Sequence, residues 1–119
     1  QQLVQDGFAR SGHTLPADGL ALIDELAGGM PFYVQMVAAL LWAGYPATKV
    51  RTEFAQQSKS HFDSMWRRLN DAQRQTLRTI ASGRGNANHA IVAQLQRYGI
   101  VREDGRLFSS AFVDFVREF

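Results

Sequence analysis

Five polar residues in the last third of the chain are of types that could bind nucleic acid: Asn88, His89, Arg97, Arg102 and Arg106. Amide and imidazole groups can hydrogen-bond to base edges, and arginines can contact phosphates or guanine. The first three lie within or directly before a segment with helical spacing, and the last two flank an Asp-Gly pair. These residues therefore make DNA a possible partner.

The overall charge gives little support to DNA binding. Thirteen Lys and Arg residues stand against eleven Asp and Glu, for a net charge of +2, and the basic residues are spread along the chain. Such residues are more often a solvated surface than a nucleic-acid site. DNA binding is therefore kept as the alternative function.

Residues able to carry catalysis or bind a metal are scarce. The three histidines, His13, His61 and His89, have no second histidine or carboxylate three or four positions away, so no metal site is expected. The chain has no cysteine and no G-x-x-x-x-G-K-[ST] phosphate loop. We therefore expect no catalytic site in this chain and, in the absence of cysteine, a cytoplasmic location.

The spacing of apolar residues predicts a mainly α-helical protein. The most apolar stretch, residues 30–45, is shorter than the roughly 20 residues of a membrane span and predicts a buried helix, so no membrane association is expected. Around Asp104-Gly105, residues 100–103 and 106–109 predict a two-residue β-hairpin. The predicted helices cover residues 3–11, 16–27, 32–42, 47–69, 72–82, 90–98 and 110–119.

The order of the last elements, two helices, a two-stranded ribbon and a helix, resembles a winged-helix unit. Upstream of it, Leu26-Ala27-Gly28-Gly29-Met30-Pro31-Phe32 resembles the glycine-x-proline segment in the helical lid of STAND-type and related AAA+ ATPases. The segment from His61 to Asn70 resembles the entry into their winged helix, and the segment from Leu107 to Phe112 resembles its end.

This resemblance implies three parts: a helical lid at 1–46, a connecting helix at 47–69, and a winged-helix domain with a small two-stranded β-hairpin at 70–119. It also implies that Gly28, Gly29 and Pro31 contact ATP or ADP, but only together with an upstream nucleotide-binding core. The simpler interpretation is that the glycine pair ends one helix and the proline begins the next. No arginine occurs between this turn and Arg51, so a phosphate-sensing arginine in the lid is not expected.

The function implied is a non-catalytic regulatory region that couples the nucleotide state of the upstream ATPase core, in the same polypeptide, to a protein partner. One rival is a winged-helix DNA-binding module with an extra helical lobe. Another is an adaptor that binds only protein. A phosphate loop in the upstream sequence would distinguish the first function from both rivals.

Overall fold

A computed structural model describes residues 18–119, and these residues are mainly α-helical, as predicted. The predicted helix at 3–11 and His13 lie outside the described residues. The observed helix bounds differ from the predicted ones by at most three residues. The helices are α1 (Gly19–Ala27), α2 (Pro31–Trp42), α3 (Ala47–Arg68), α4 (Asp71–Ser82), α5 (His89–Arg97) and α6 (Ser110–Arg117).

Local side-chain hydrogen bonds begin three of these helices. Before α4, the Asn70 side chain accepts a hydrogen bond from the Gln73 backbone N–H (2.8 Å), and the Gln73 side chain accepts one from the Asn70 N–H (2.9 Å). Asn88 caps α5, and Ser109 caps α6. Caps of this kind satisfy backbone donors that have no partner inside the helix, which is why these helices begin where the sequence predicts.

The long helix α3 carries the centre of the hydrophobic core. The Phe62 side chain is 2% exposed, and its ring lies 5.1 to 6.3 Å, centroid to centroid, from five other aromatic rings. Most of these contacts are edge-to-face, a favourable geometry for aromatic pairs. The five rings belong to α2, α3, the segment before α6, and α6 itself: Tyr33, Phe54, Phe108, Phe112 and Phe115. The core thus joins residues from all three predicted parts, whose division stays a prediction.

The prediction of a buried helix in the apolar stretch 30–45 is correct for only one side of α2. Tyr33, Val37, Leu40 and Leu41 face the core, whereas the Phe32 side chain is 55% exposed. The physical reason is that α2 packs against α1 and α3, which cover only one side of it. Among residues 18–119 no helix has both the length and the hydropathy needed to cross a membrane.

The hairpin around Asp104-Gly105 is shorter than predicted. Within the described part of the chain, Val101 and Leu107 form an isolated antiparallel bridge rather than a two-stranded sheet. The Arg102 N–H donates to the Arg106 carbonyl (2.6 Å), so the loop has three residues, 103–105, rather than two. Gly105, at φ +89°, supplies the left-handed residue that three-residue loops require. Pairing stops early because α6 begins directly after Ser109.

A candidate ligand groove beside the 28–31 turn

The turn between α1 and α2 is held against the segment that precedes α6. Gly28 has φ +57° and ψ −134°, and a Cβ atom at this position would lie 2.7 Å from the Phe108 carbonyl oxygen. A Cβ at Gly99 would lie 3.4 Å from the Met30 Cε atom. Glycine at 28 is therefore required by the close approach of Phe108, a reason that the sequence alone does not reveal.

A shallow groove of about 390 Å³ lies between this turn and the end of α5. It brings Gly29 and Pro31, two of the three residues expected to contact nucleotide, next to Arg97 and Arg102, which were predicted to contact nucleic acid. Gly28 is buried beside it. The two predicted sets are far apart in the sequence, and only the packing of the turn on the Phe108 segment brings them together.

The groove has both an apolar surface and a positively charged side chain. Tyr98 is 56% exposed, and with the exposed Pro31 it provides apolar surface on which a planar ring could pack. Arg97 is exposed, and no carboxylate of the described residues lies within 4.0 Å of its guanidinium. The groove can therefore accept an aromatic ring and an anionic group together. Tyr98 is not among the site residues predicted from the sequence, although an aromatic residue directly before Gly99, at the end of a predicted helix, is a recognisable signal.

Arg102 is held by the protein itself. Its guanidinium donates to the Asp24 carboxylate (3.0 Å), to the Asp24 carbonyl and to the Phe108 carbonyl (3.0 Å). Its side chain is only 23% exposed. These bonds tie the loop before α6 to α1, and they occupy donors that a phosphate would need. The placement favours a positioning role for Arg102 over contact with nucleic acid.

The other predicted nucleic-acid residues lie outside the groove. The side-chain amide oxygen (Oδ1) of Asn88 caps α5 by accepting from two backbone N–H groups, at 2.9 and 3.2 Å, and His89 beside it is exposed. Arg106 donates to the Asp104 carboxylate (2.8 Å). The backbone N–H of Arg106 and then its guanidinium hold the pKa of Asp104 below its usual value. Arg106 lines a different cleft, so the structure does not gather the five residues on one surface.

The potential metal ligands of the described residues do not gather into a site. No group of three or more potential metal ligands occurs within residues 18–119, where the His61 ring packs against the Phe32 ring, with 4.6 Å between their centroids.

No protein-family model, curated protein or solved structure matches this chain. The proposal of a function therefore rests on the geometry of the chain and on the resemblance of its motifs.

Proposed function

We propose that this chain is the non-catalytic lid and winged-helix region of a STAND-like or AAA+ ATPase, which couples the nucleotide state of an upstream core to a protein partner. The observation that carries the proposal is the docking of the 28–31 turn on Phe108 and Gly99. Gly28 lies directly against the backbone carbonyl of Phe108. A displacement of the turn by nucleotide must therefore also displace the segment that leads into α6.

The bonds of Arg102 strengthen this coupling. They connect α1, which precedes the turn, to the loop between α5 and α6. In the proposed arrangement, residues 1–46 form the lid, residues 47–69 connect it, and residues 70–119 form a winged helix with a short wing. The signal then passes from the turn to the wing by rigid-body movement, in a cytoplasmic protein.

The groove by itself suits only part of a nucleotide. Pro31 and Tyr98 can pack against the adenine ring, and Arg97 can approach an anionic group. The phosphate loop that would hold the phosphates and magnesium is absent from the sequence. ATP or ADP is therefore expected to bind tightly only when the upstream core supplies the other wall of the site.

The first prediction concerns nucleotide binding by the whole polypeptide. We expect a phosphate loop roughly 150 to 250 residues before Gln1, about one α/β domain away. In that polypeptide, Pro31→Ala should weaken ATP binding about tenfold, since small apolar contacts in a pocket have effects of this size. Titration with a fluorescent ATP analogue measures the change. The matched control is Pro46→Ala, because Pro46 is also exposed at the start of a helix but lies outside the groove.

Two results would contradict the proposed function. One is an upstream sequence without a phosphate loop. The other is an ATP affinity that Pro31→Ala and Pro46→Ala leave equally unchanged. The 119-residue chain alone should neither hydrolyse ATP nor bind it tightly, and turnover above a no-protein blank would also count against the proposal.

DNA binding remains the second candidate function because Arg97 and His89 are both exposed on α5. The second prediction is that this chain binds random duplex DNA, at near-physiological salt, no more tightly than about 10⁻⁴ to 10⁻⁶ M, and that binding disappears as salt rises. Fluorescence polarisation measures it. Nanomolar, sequence-dependent binding that Arg97→Ala abolishes, and that Arg84→Ala at an exposed site away from α5 preserves, would instead favour the DNA-binding function.

A further inference from the structure

A second cleft, of about 420 Å³, lies between α1, α4 and α6, away from the groove at the 28–31 turn. Its apolar lining includes Ile80 at the end of α4, Leu107 before α6, and Val113 on α6. Ile80 and Val113 are only partly buried. The volume falls in the range of small-ligand pockets, which is enough for one or two aliphatic side chains.

The carboxylates around this cleft already have partners. Asp24 pairs with Arg102 at 3.0 Å. Glu25 accepts two hydrogen bonds from Arg51, both at 2.9 Å, and one from Ser110 at 3.2 Å. The bonds from Arg51 lower the pKa of Glu25, so this carboxylate is ionised and compensated at neutral pH. Asp104, next to the cleft, is paired with Arg106 in the same way.

Arg117, at the other end of the cleft, has no carboxylate partner among the described residues. Its Nε atom donates to the Ala81 carbonyl at 2.9 Å, and no carboxylate within residues 18–119 lies within 4.0 Å of its guanidinium. The carbonyl groups at the end of α4 carry only a partial negative charge. The cleft therefore combines an apolar floor, formed by Ile80, Leu107 and Val113, with an arginine whose charge is largely uncompensated.

We propose that this cleft binds an acidic peptide segment of a protein partner, with one aliphatic side chain on the apolar floor and a neighbouring carboxylate on Arg117. The charge favours an acidic partner because the carboxylates that line the cleft already have arginine partners, whereas the Arg117 guanidinium can form a charge-assisted hydrogen bond to a carboxylate of the peptide. The exposed Arg106–Asp104 pair is weak and can exchange for a second carboxylate of the peptide. This inference stands independently of the nucleotide-dependent function, since the residues concerned do not line the groove at Pro31 apart from Arg102.

The third prediction tests this cleft with defined peptides. The probes are a fluorescein-labelled decapeptide with a single leucine among glutamates, and matched peptides with glutamine for each glutamate or alanine for the leucine. Polarisation with the 119-residue chain should show that the acidic leucine peptide binds about tenfold more tightly than either matched peptide. One charged pair or one buried aliphatic group accounts for a factor of this order.

Variants of the protein assign the binding to the cleft. Arg117→Gln should weaken binding of the acidic leucine peptide about tenfold, and Arg117→Lys, which keeps the positive charge, should weaken it about threefold or less. Arg84→Gln is the matched control, because Arg84 is exposed and lies outside the cleft. Circular dichroism checks that each variant is folded, and amide chemical shifts on peptide addition should change mainly at residues 80–81, 107 and 110–117.

Several results would overturn the inference. Equal affinity for the glutamate and glutamine peptides would remove the role of charge, and equal affinity for the leucine and alanine peptides would remove the role of the apolar floor. Equal losses in Arg117→Gln and Arg84→Gln would indicate attraction to net charge alone. If Arg117→Gln does not fold, two other results would contradict the inference. One is a set of amide chemical-shift changes located away from the cleft when peptide is added to the parent protein. The other is a large loss of peptide binding in a folded Arg117→Lys variant.

Discussion

Phe62→Ala should lower the free energy of unfolding by about 3 to 5 kcal/mol, the cost of deleting a buried phenylalanine ring and leaving a cavity. The reason is the position of Phe62, whose ring contacts five others, including Phe108 and Phe112. These contacts join α3 to α6 and to the segment before it, against which the 28–31 turn packs. Because the stability of a small domain is only about 5 to 15 kcal/mol, the variant should be partly unfolded at room temperature or melt far below the parent. Urea denaturation followed by circular dichroism measures the difference.

Phe32→Ala is the matched control, since it makes the same chemical change at a side chain that is 55% exposed. Phe32 still contacts His61 and Tyr33 edge-on, at 4.6 and 5.2 Å between ring centroids, so a loss of about 1 kcal/mol or less is expected. A similar loss in both variants would show that the aromatic cluster around Phe62 is not the centre of the core.

Trp66→Ala should also cost about 3 to 5 kcal/mol. The helical spacing of Phe62, Met65, Trp66 and Leu69 predicts that Trp66 belongs to the core, and Trp66 is 7% exposed. Its ring stacks on Phe119 at 5.0 Å and meets the edge of Phe115 at 6.2 Å, while the Arg78 guanidinium lies 5.8 Å from the ring centroid. Loss of the ring should therefore loosen α6 from α3 and remove a cation–π contact to α4. Thermal or urea denaturation gives the measurement.

The control for Trp66→Ala is Gln57→Ala, an exposed position on the same helix, which should change stability by less than about 0.5 kcal/mol. If Trp66→Ala melts like the parent, the contacts with Phe115 and Phe119 do not stabilise the protein in solution. The Trp66-Arg67-Arg68 cluster would then become a candidate binding surface.

The residues that line the groove beside the 28–31 turn and the cleft beside Arg117 could be only partly predicted from the sequence. The sequence predicted a role for Gly29, Pro31 and Arg97, because their residue types suit a turn, a helix start and an anion contact. It did not predict a role for Tyr98 or Arg117, because exposure and the lack of a charged partner are properties of the folded surface. Arg102 was predicted from its residue type as a nucleic-acid contact in the alternative function. In the structure its partners are Asp24 and the carbonyl of Phe108, which no local pattern indicates.

The positions of the helices could be predicted because their determinants are local. Helical spacing places Phe62 and Trp66 on the buried side of α3, and Leu69 is buried directly after the helix ends. The Asn70 cap forms with Gln73, three residues away. The mainly helical fold follows from these short-range signals alone.

Tertiary structure decided which surfaces are open and which distant residues meet. The spacing of apolar residues in α2 could not reveal that Phe32 is exposed, because exposure depends on how many neighbouring helices cover α2. The requirement for glycine at 28 comes from the Phe108 carbonyl, and the cleft beside Arg117 exists only where α1, α4 and α6 diverge. Such contacts join segments far apart in the chain, so their geometry depends on how the whole core packs.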